Sequence, residues 1–588
     1  MSLATSTIQT IPDLLRDTAA RHGHRLALRQ PHGHDVHTWT WREYLEAAEE
    51  IAAGLRSLGL GKGDHIALCS ETRAEFYLAD QGILMNASVA AAVYPSYPAE
   101  DLRRTIALAG AKALFVEDAK TYAKLKDAPV AHFILLTGEA EGAISLAALR
   151  ELGREAGVRP VDLNPEDNAI LYLTSGATGE PKMVMTTHGA VMANIMMGPA
   201  VLPLTPDDIT IAFLPSAHIA QRVVVEILPI LTATPVSFAE SLHKLQPEIK
   251  AVRPTFFLAP PRVWERVYTS IRAEILKKPA IAQKAFFGAL GLGLAAAKYK
   301  RAGKKVPLRI RVPLNLAHRA IFSKIRERFG GRLKVAASGA APLGADLAEF
   351  YEAIGMPLVE GYGLTEGGVA ALNPIDSPHP GSIGKALPGV EFRIGDEGEL
   401  LIRSAALSRG YFNDPAATAE VIRDGWLHTG DVGTIDSDGY IFITGRKKEL
   451  IVSSNGKKIF PSRVEALFKL EPLVSQVVLI GDGLPHLVAL FTIHPPVGES
   501  IRGSNDPGIP LHESPEVLAE MHRIVARANK QLAPFEQVKR FKILYREFTI
   551  EHGEVTATMK VRRRQVLENF KADVDALYHL SASGRGGE

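Results

Sequence analysis

The chain has 588 residues, of which 46% are hydrophobic, 22% charged and 7% aromatic. Those proportions exclude a disordered, collagen-like or coiled-coil protein and fit a globular enzyme of several domains. The single cysteine, Cys69, excludes an internal disulfide or a cysteine-based zinc site and suits a reducing compartment. A net charge of +2 names no polyanion partner, yet it sums unlike parts. Residues 271–332 hold sixteen Lys/Arg against Glu274 and Glu327, a local +14, which leaves −12 for the remainder.

Met1–Gly23 contains Asp13 and Arg16 and lacks a cationic start with an apolar run, so it does not read as a signal peptide. Trp41–Leu58 has apolar residues at helical spacing (Tyr44, Leu45, Ala48, Ile51, Leu55) and stops at Gly59. Asp64–Cys69 reads as a short strand, Ala74–Met85 as a helix and Val89–Val93 as a strand. This alternation predicts a parallel sheet with helices on both faces. Ala169–Thr174, Ile211–Leu214 and Leu333–Ala337 read as further buried strands. The longest apolar run, Ala285–Ala297, is shorter than the ~20 residues a bilayer core requires.

Around Gly384–Ile402 and Thr434–Ile443 the pattern becomes short alternating runs separated by Gly and Asp, which predicts an antiparallel subdomain. Beyond Gly445-Arg-Lys-Lys448 an α+β pattern returns, with strands at Val477–Ile480 and Leu487–Ile493 and a helix at Pro515–Gln531. The boundary is set at Lys448, giving units 1–447 and 448–588. Ser581–Glu588 is small and polar and reads as a tail.

The chemistry begins at Leu171-Tyr-Leu-Thr-Ser-Gly-Ala-Thr-Gly-Glu-Pro-Lys182, where a buried strand runs into Thr174, Ser175, Gly176, Thr178, Gly179 and then Lys182. Glycines let the backbone approach a ligand and form an anion nest, hydroxyls add donors, and a lysine adds mobile positive charge. It is not a Walker A loop, because the lysine follows Pro181 rather than a glycine.

This loop resembles the signature of the adenylate-forming superfamily, which includes acyl-CoA synthetases, luciferases and peptide-synthetase adenylation domains. Ser338-Gly-Ala-Ala-Pro-Leu343, Glu360-Gly-Tyr-Gly-Leu-Thr-Glu366, Trp426-Leu-His-Thr-Gly-Asp431, Gly445-Arg-Lys-Lys-Glu-Leu450 and Val555-Thr-Ala-Thr-Met-Lys560 follow in the family's order. The resemblance runs from about Thr40 to Val566. It implies an α/β fold: a large N-terminal domain of parallel-sheet αβαβα subdomains plus a small β-barrel-like subdomain, then a smaller mobile α+β C-terminal domain. It also implies a reaction in which a carboxylate attacks the α-phosphorus of ATP, followed by displacement of AMP by the thiol of coenzyme A.

The same resemblance assigns roles. Thr174, Ser175, Gly176, Thr178, Gly179 and Lys182 would hold the β- and γ-phosphates. Gly339 and Ala340 would lie on the adenine side, with Glu360, Gly361, Tyr362 and Gly363 around the nucleotide and Tyr362 facing adenine. Thr365 would bond the α-phosphate and Glu366 would bind Mg²⁺, which prefers one or two carboxylates plus phosphate oxygens. Asp431 and Arg446 would take the ribose hydroxyls. Lys560 would bridge the acyl carboxylate and the α-phosphate. Lys448 would be the hinge residue, and Gly456 with Lys457 would line the channel for the pantetheine arm. Phe213-Leu-Pro-Ser-Ala-His218 resembles the long-chain form of a central motif, placing His218 where the acyl tunnel meets the nucleotide.

No acidic residue occurs between Ile211 and Val225, which argues against an amino-acid substrate. Ala177, Met183 and Ala340 depart from the family pattern. The leading expectation is a medium- or long-chain fatty acyl-CoA ligase. The alternatives are a ligase for another carboxylate or a carrier-protein acceptor, and a non-catalytic nucleotide- or acyl-binding scaffold. A cytoplasmic location follows, with residues 271–332 as a peripheral contact for the inner face of a membrane, a basic rim for coenzyme A phosphates, or a solvated helical face.

Overall fold

Short, fully apolar strands bounded by glycine and polar turns build most of the N-terminal part. The computed structural model describes residues 8–33, 35–175, 181–503, 508–556 and 560–579. In one eight-stranded sheet, His65–Cys69, Val89–Val93, Ala113–Val116 and Asn168–Ser175 lie parallel, in the order 168–89–65–113. Their residues are almost all buried, as a parallel sheet covered on both faces requires. Asn168–Ser175 pairs antiparallel with Pro181–Thr187, with Thr174 opposite Lys182. The short strand Gly410–Tyr411 pairs onto Pro181–Thr187 at the sheet edge.

A second sheet has nine strands, and its parallel centre is Val236–Phe238, Thr210–Ala212, Phe256–Ala259, Val335–Ser338 and Leu358–Leu364. Helix Ala74–Met85 is buried on every face. That suits a layer enclosed by its neighbours and explains why it lacks an amphipathic pattern. Helix Trp41–Ser57 starts with a capping box in which Thr40 and Glu43 satisfy each other's backbone N–H groups.

Two antiparallel units follow. Glu391–Ile394, Glu399–Arg403, Trp426–Ile435, Ile422–Arg423 and Ile441–Arg446 form a five-stranded sheet, the hairpin unit expected from the alternating runs. Leu358–Leu364 and Gly368–Leu372 form a hairpin the sequence reading did not resolve as strands. Beyond it the chain forms a smaller α+β domain. Val474–Ile480, Leu487–Ile493 and Val538–Ile543 form a three-stranded sheet covered by helices Pro461–Lys469 and Pro515–Asn529 around a separate core.

The apolar run Ala285–Ala297 lies within a 22-residue helix, Ala280–Arg301. By length and composition this is the one helix among the described residues capable of crossing a membrane, so the limit drawn from the run alone is exceeded. Its buried face is Phe286, Ala289, Gly293, Ala296 and Ala297. A Cβ on Gly293 would stand 2.2 Å from the carbonyl of Ala353, so glycine permits the close approach to helix Ala345–Ala353.

Candidate active site

The site gathers at the ends of the two parallel sheets and the edge of the five-stranded sheet. Strand Trp426–Ile435 pairs with Ile441–Arg446 so that Asp431 stands opposite Arg446. Nε of Arg446 donates to Oδ1 of Asp431 at 2.8 Å, and the hydroxyl of Tyr362 donates to Oδ2 at 2.5 Å. Burial opposes the charge of Arg446, but Asp431, Tyr362 and Glu449 together hold its pKa above the ordinary value. Burial and the Asp431 carboxylate push the Tyr362 hydroxyl well up, so it remains a donor. A carboxylate has about four lone-pair positions, so two remain for a vicinal diol.

Two glycines in the 360–366 segment are sterically dictated. A Cβ at Gly363 would lie 2.4 Å from the carbonyl of Gly368 across the hairpin, and one at Gly361 would lie 3.0 Å from Leu372. Gly339 is open save for the Gly361 carbonyl at 3.6 Å. Ala340 takes φ of +70°, the left-handed region that favours glycine. Glu360, expected at the nucleotide, instead points into the core: it is 7% exposed, and its Oε1 accepts from the backbone N–H of Leu343 at 2.8 Å. Burial raises its pKa to about 8, so near neutrality it is mostly a neutral acid tying the Ser338–Leu343 loop to the strand.

Thr365 and Glu366 occupy the turn between the hairpin strands, half-buried. Glu366 Oε1 accepts from the hydroxyl of Tyr411 at 2.7 Å. Thr174 Oγ1 donates to the Lys182 carbonyl at 3.3 Å across the hairpin. Lys182 Nζ lies 3.2 Å from Asp414 Oδ2 and 4.9 Å from the centre of the Tyr411 ring. Gly176, Thr178 and Gly179 lie outside the described residues, as does the side chain of Ser175. Tyr411 and Asp414 were absent from the sequence reading. The only hint was the Gly410-Tyr411 pair ending the segment before the Trp426 motif.

Lys560 comes from the C-terminal domain. It follows a tight reversal in which Val555 bridges Val561 and the Thr556 N–H donates to the Lys560 carbonyl. Lys560 is exposed to solvent. Burial and then Arg446 lower its pKa, while Asp431, Glu449 and Glu366 pull the other way. His218 feels the same ammonium: burial and Lys560 lower its pKa to about 4, so the imidazole is neutral. Nδ1 of His218 accepts from the Ala220 N–H at 3.2 Å, which leaves the proton on Nε2. Behind it the fully buried Arg222 pairs with Asp80, and the Arg222 N–H donates to the His218 carbonyl at 3.1 Å.

Lys448 lies in the exposed turn Lys447–Glu449 directly after the last strand of the five-stranded sheet. Lys447 is held by Glu397 at 3.2 Å and Glu399 at 3.1 Å. Gly456 and Lys457 are not brought to the cleft. Their contacts lie among residues beyond 448: φ is +73° at Gly456, the Lys457 N–H donates to Ser453, and Lys457 Nζ lies 5.8 Å from the ring of Phe535.

A cleft assembled from the 168–187 strand pair, the buried Asp431 with Arg446 and Tyr362 on it, and a lysine from the C-terminal region defines a nucleotide-dependent enzyme class. The AMP-binding enzyme model matches residues 15–412 and the AMP-binding enzyme C-terminal domain model matches residues 448–582. The chain belongs to the AMP-binding enzyme family. It is similar to the long-chain-fatty-acid–CoA ligase FadD15 of Mycobacterium bovis, 35% identical over 92% of this chain and 93% of the relative. It is also similar to the long-chain-fatty-acid–CoA ligase ACSBG2 of Rattus norvegicus, 28% identical over 97% of this chain and 93% of that one. Among solved structures, the adenylation domain of a carboxylate reductase from Mycobacterium chelonae shares the fold with a TM-score of 0.80 at 22% identity, covering 98% of this chain and 92% of that one.

Proposed function

We propose that the protein activates a medium- or long-chain fatty acid with ATP, through an acyl-adenylate, and transfers the acyl group to coenzyme A with release of AMP and pyrophosphate. The observation that carries this reading is the buried Asp431 held by Arg446 Nε at 2.8 Å and by the Tyr362 hydroxyl at 2.5 Å, with Lys560 near enough for Arg446 and His218 to feel its charge. Joining two anions requires positive charge at the point of bond formation, and a mobile ammonium supplies it without competing hydrogen-bond acceptors. Asp431 and Arg446 hold the sugar. Thr365 donates to the α-phosphate. Thr174, Ser175, Gly176, Thr178, Gly179 and Lys182 receive the outer phosphates, with Gly339, Ala340, Gly361, Tyr362 and Gly363 shaping the base pocket. Glu360 acts from behind by fixing the 338–343 loop.

Among the described residues no group of three or more acidic, His or Cys side chains forms a closed metal site. A lone carboxylate at Glu366 fits Mg²⁺, which takes one or two carboxylates and fills its shell with phosphate oxygens and water. Bound there, Mg²⁺ supplies neutralisation of phosphate charge. The neutral His218, with its proton on Nε2, presents a donor where the acyl group meets the nucleotide.

The division into residues 1–447 and 448–588 is part of this reading, and two separate family models on either side support it. Lys448 would carry the rotation that withdraws Lys560 and brings Gly456 and Lys457 round to the thiol arm. Exposure of Lys448 and of the 453–458 loop supports this. A palmitate-dependent ATP–pyrophosphate exchange assay, followed by coenzyme A-dependent AMP release, tests the reading. Exchange is expected with palmitate, and its absence with every carboxylate tried would leave a binding scaffold. Release of AMP with a carrier protein but not with coenzyme A would change the acceptor.

Peripheral contact with an anionic bilayer is the second part of the reading. On helix Leu308–Ala317, Leu308, Val312 and Leu316 recur at helical spacing and are 64%, 63% and 69% exposed, beside exposed Arg309 and Arg311. A surface helix ordinarily turns such a stripe inward. Of the sixteen basic residues at 271–332, Arg272, Arg301 and Arg328 are the ones in ion pairs with carboxylates among the described residues. Apolar side chains among free cations match an acidic lipid surface, which also supplies the acid. Flotation with phosphatidylglycerol vesicles is expected, and is expected to be lost in the triple serine variant of Leu308, Val312 and Leu316. Equal flotation of the variant would refute this contact.

A further inference from the structure

We propose that Tyr411 is a positioning residue that couples the lysine of the phosphate loop to the carboxylate that receives the metal. The proposal rests on the reading of the site given above and assigns a role to a residue outside all the motifs identified in the sequence.

Three contacts converge on this side chain and its segment. The Tyr411 hydroxyl donates to Oε1 of Glu366 at 2.7 Å, a charge-assisted bond. Its ring lies 4.9 Å from Nζ of Lys182, within the range of a cation–π contact. Its backbone is strand-paired with Val184, two residues after Lys182, and the flanking Phe412 N–H donates to the Met183 carbonyl at 2.7 Å. The same segment reaches the Glu366 main chain, where the Ser408 N–H donates to the Glu366 carbonyl at 2.8 Å. Residues 408–412 thus form a strut with Glu366 at one end and the strand behind the glycine loop at the other. Burial and the neighbouring carboxylate push the Tyr411 hydroxyl up, so it remains a donor at any working pH.

The consequence is geometric. A glutamate on a turn has free rotation about its side-chain bonds, and ordering it costs roughly 1.5–2 kcal/mol of rotamer freedom. Tyr411 holds one oxygen, so part of the ordering precedes metal arrival. The ring and the Asp414 carboxylate together hold Lys182 on the other side of Tyr411. Tyr411 therefore touches both the lysine for the outer phosphates, which it shares with Asp414, and the carboxylate for the metal.

Two variants separate the parts. Y411F keeps the ring and deletes only the donor; Y411L deletes both. The readout is equilibrium binding of a fluorescent methylanthraniloyl-ATP, titrated with Mg²⁺ and repeated in EDTA, on the full chain. Y411F is expected to raise the Mg²⁺ half-saturation roughly five- to thirty-fold while leaving nucleotide affinity in EDTA unchanged. Y411L is expected to add a roughly two- to five-fold loss of affinity in EDTA, through Lys182. A purely structural role would lower both affinities together and the melting temperature with them. Superimposable Mg²⁺ curves for Y411F and wild type, or tighter Mg²⁺ binding in Y411F, would overturn the proposal. If the wild type binds nucleotide in this Mg²⁺-dependent way but shows no exchange with any carboxylate, the proposed function fails and the role of Tyr411 stands.

Discussion

Replacing Glu360 by glutamine tests whether a buried carboxyl, rather than a nucleotide contact, explains its place in the signature. The carboxyl has an ordinary value of 4.5 in the unfolded chain and about 8 in the fold. Its folded pKa is raised, so its contribution to stability is fully present below about pH 4.5 and drains away as the pH rises to about 8. At 1.36 kcal/mol per unit, about 3 kcal/mol of stability is lost by pH 7 relative to acid conditions. Glutamine keeps an oxygen for the Leu343 N–H and cannot ionise. E360Q should therefore gain on the wild type by up to about 1.4 kcal/mol for each pH unit between about 5 and 8, then level off. Urea denaturation followed by tryptophan fluorescence reads this directly, because Trp39, Trp41, Trp264 and Trp426 all precede the second domain. A difference that stays flat from pH 5 to 9 would mean that the carboxylate is ionised and satisfied, and would refute the argument. AMP binding by E360Q should match the wild type.

Lys560→Ala should reduce fatty-acid-dependent pyrophosphate exchange roughly 10²- to 10³-fold, the range for losing one preorganised electrostatic group, yet spare thioester formation from supplied acyl-adenylate. Equal loss of both steps would contradict a lysine confined to the first. Asp431→Asn removes the charge that Arg446 and Tyr362 share and should weaken ATP binding roughly ten- to a hundred-fold, measured by calorimetry, with little change in acid affinity. Ala340→Gly should raise the urea midpoint by a stability gain of about 1 kcal/mol, because the left-handed backbone there costs a Cβ-bearing residue that much.

Short apolar strands and glycine-bounded hairpins were readable because each is a local pattern: Val89–Val93 is buried throughout and carries no polar residue to disguise it, whereas the equally apolar Ala113–Val116 is absent from the sequence reading. The Gly361–Leu372 segment shows no strand alternation in its sequence. Its hairpin depends on the cross-strand contact of Gly363 with Gly368, which no periodicity announces. The contiguous strings around Asp431 and Arg446 pointed to two residues that the structure pairs directly. Tyr411 was not legible, because its meaning lies in a partner 45 positions away, and neither was the inward turn of Glu360. The outward stripe of Leu308, Val312 and Leu316 escaped notice because its spacing is that of an ordinary buried face.

Gly445 immediately precedes the arginine that holds Asp431, and the ring of Phe460 rests on it so closely that an added Cβ would meet Cδ1 at 2.2 Å. The absence of a side chain there acts as a keyhole. Any larger residue would be a wedge against the packing of Phe460. Under the rotation proposed at Lys448, a single methyl group at position 445 would bias the protein away from the arrangement seen here. An inhibitor that displaced Phe460 would act on the same latch.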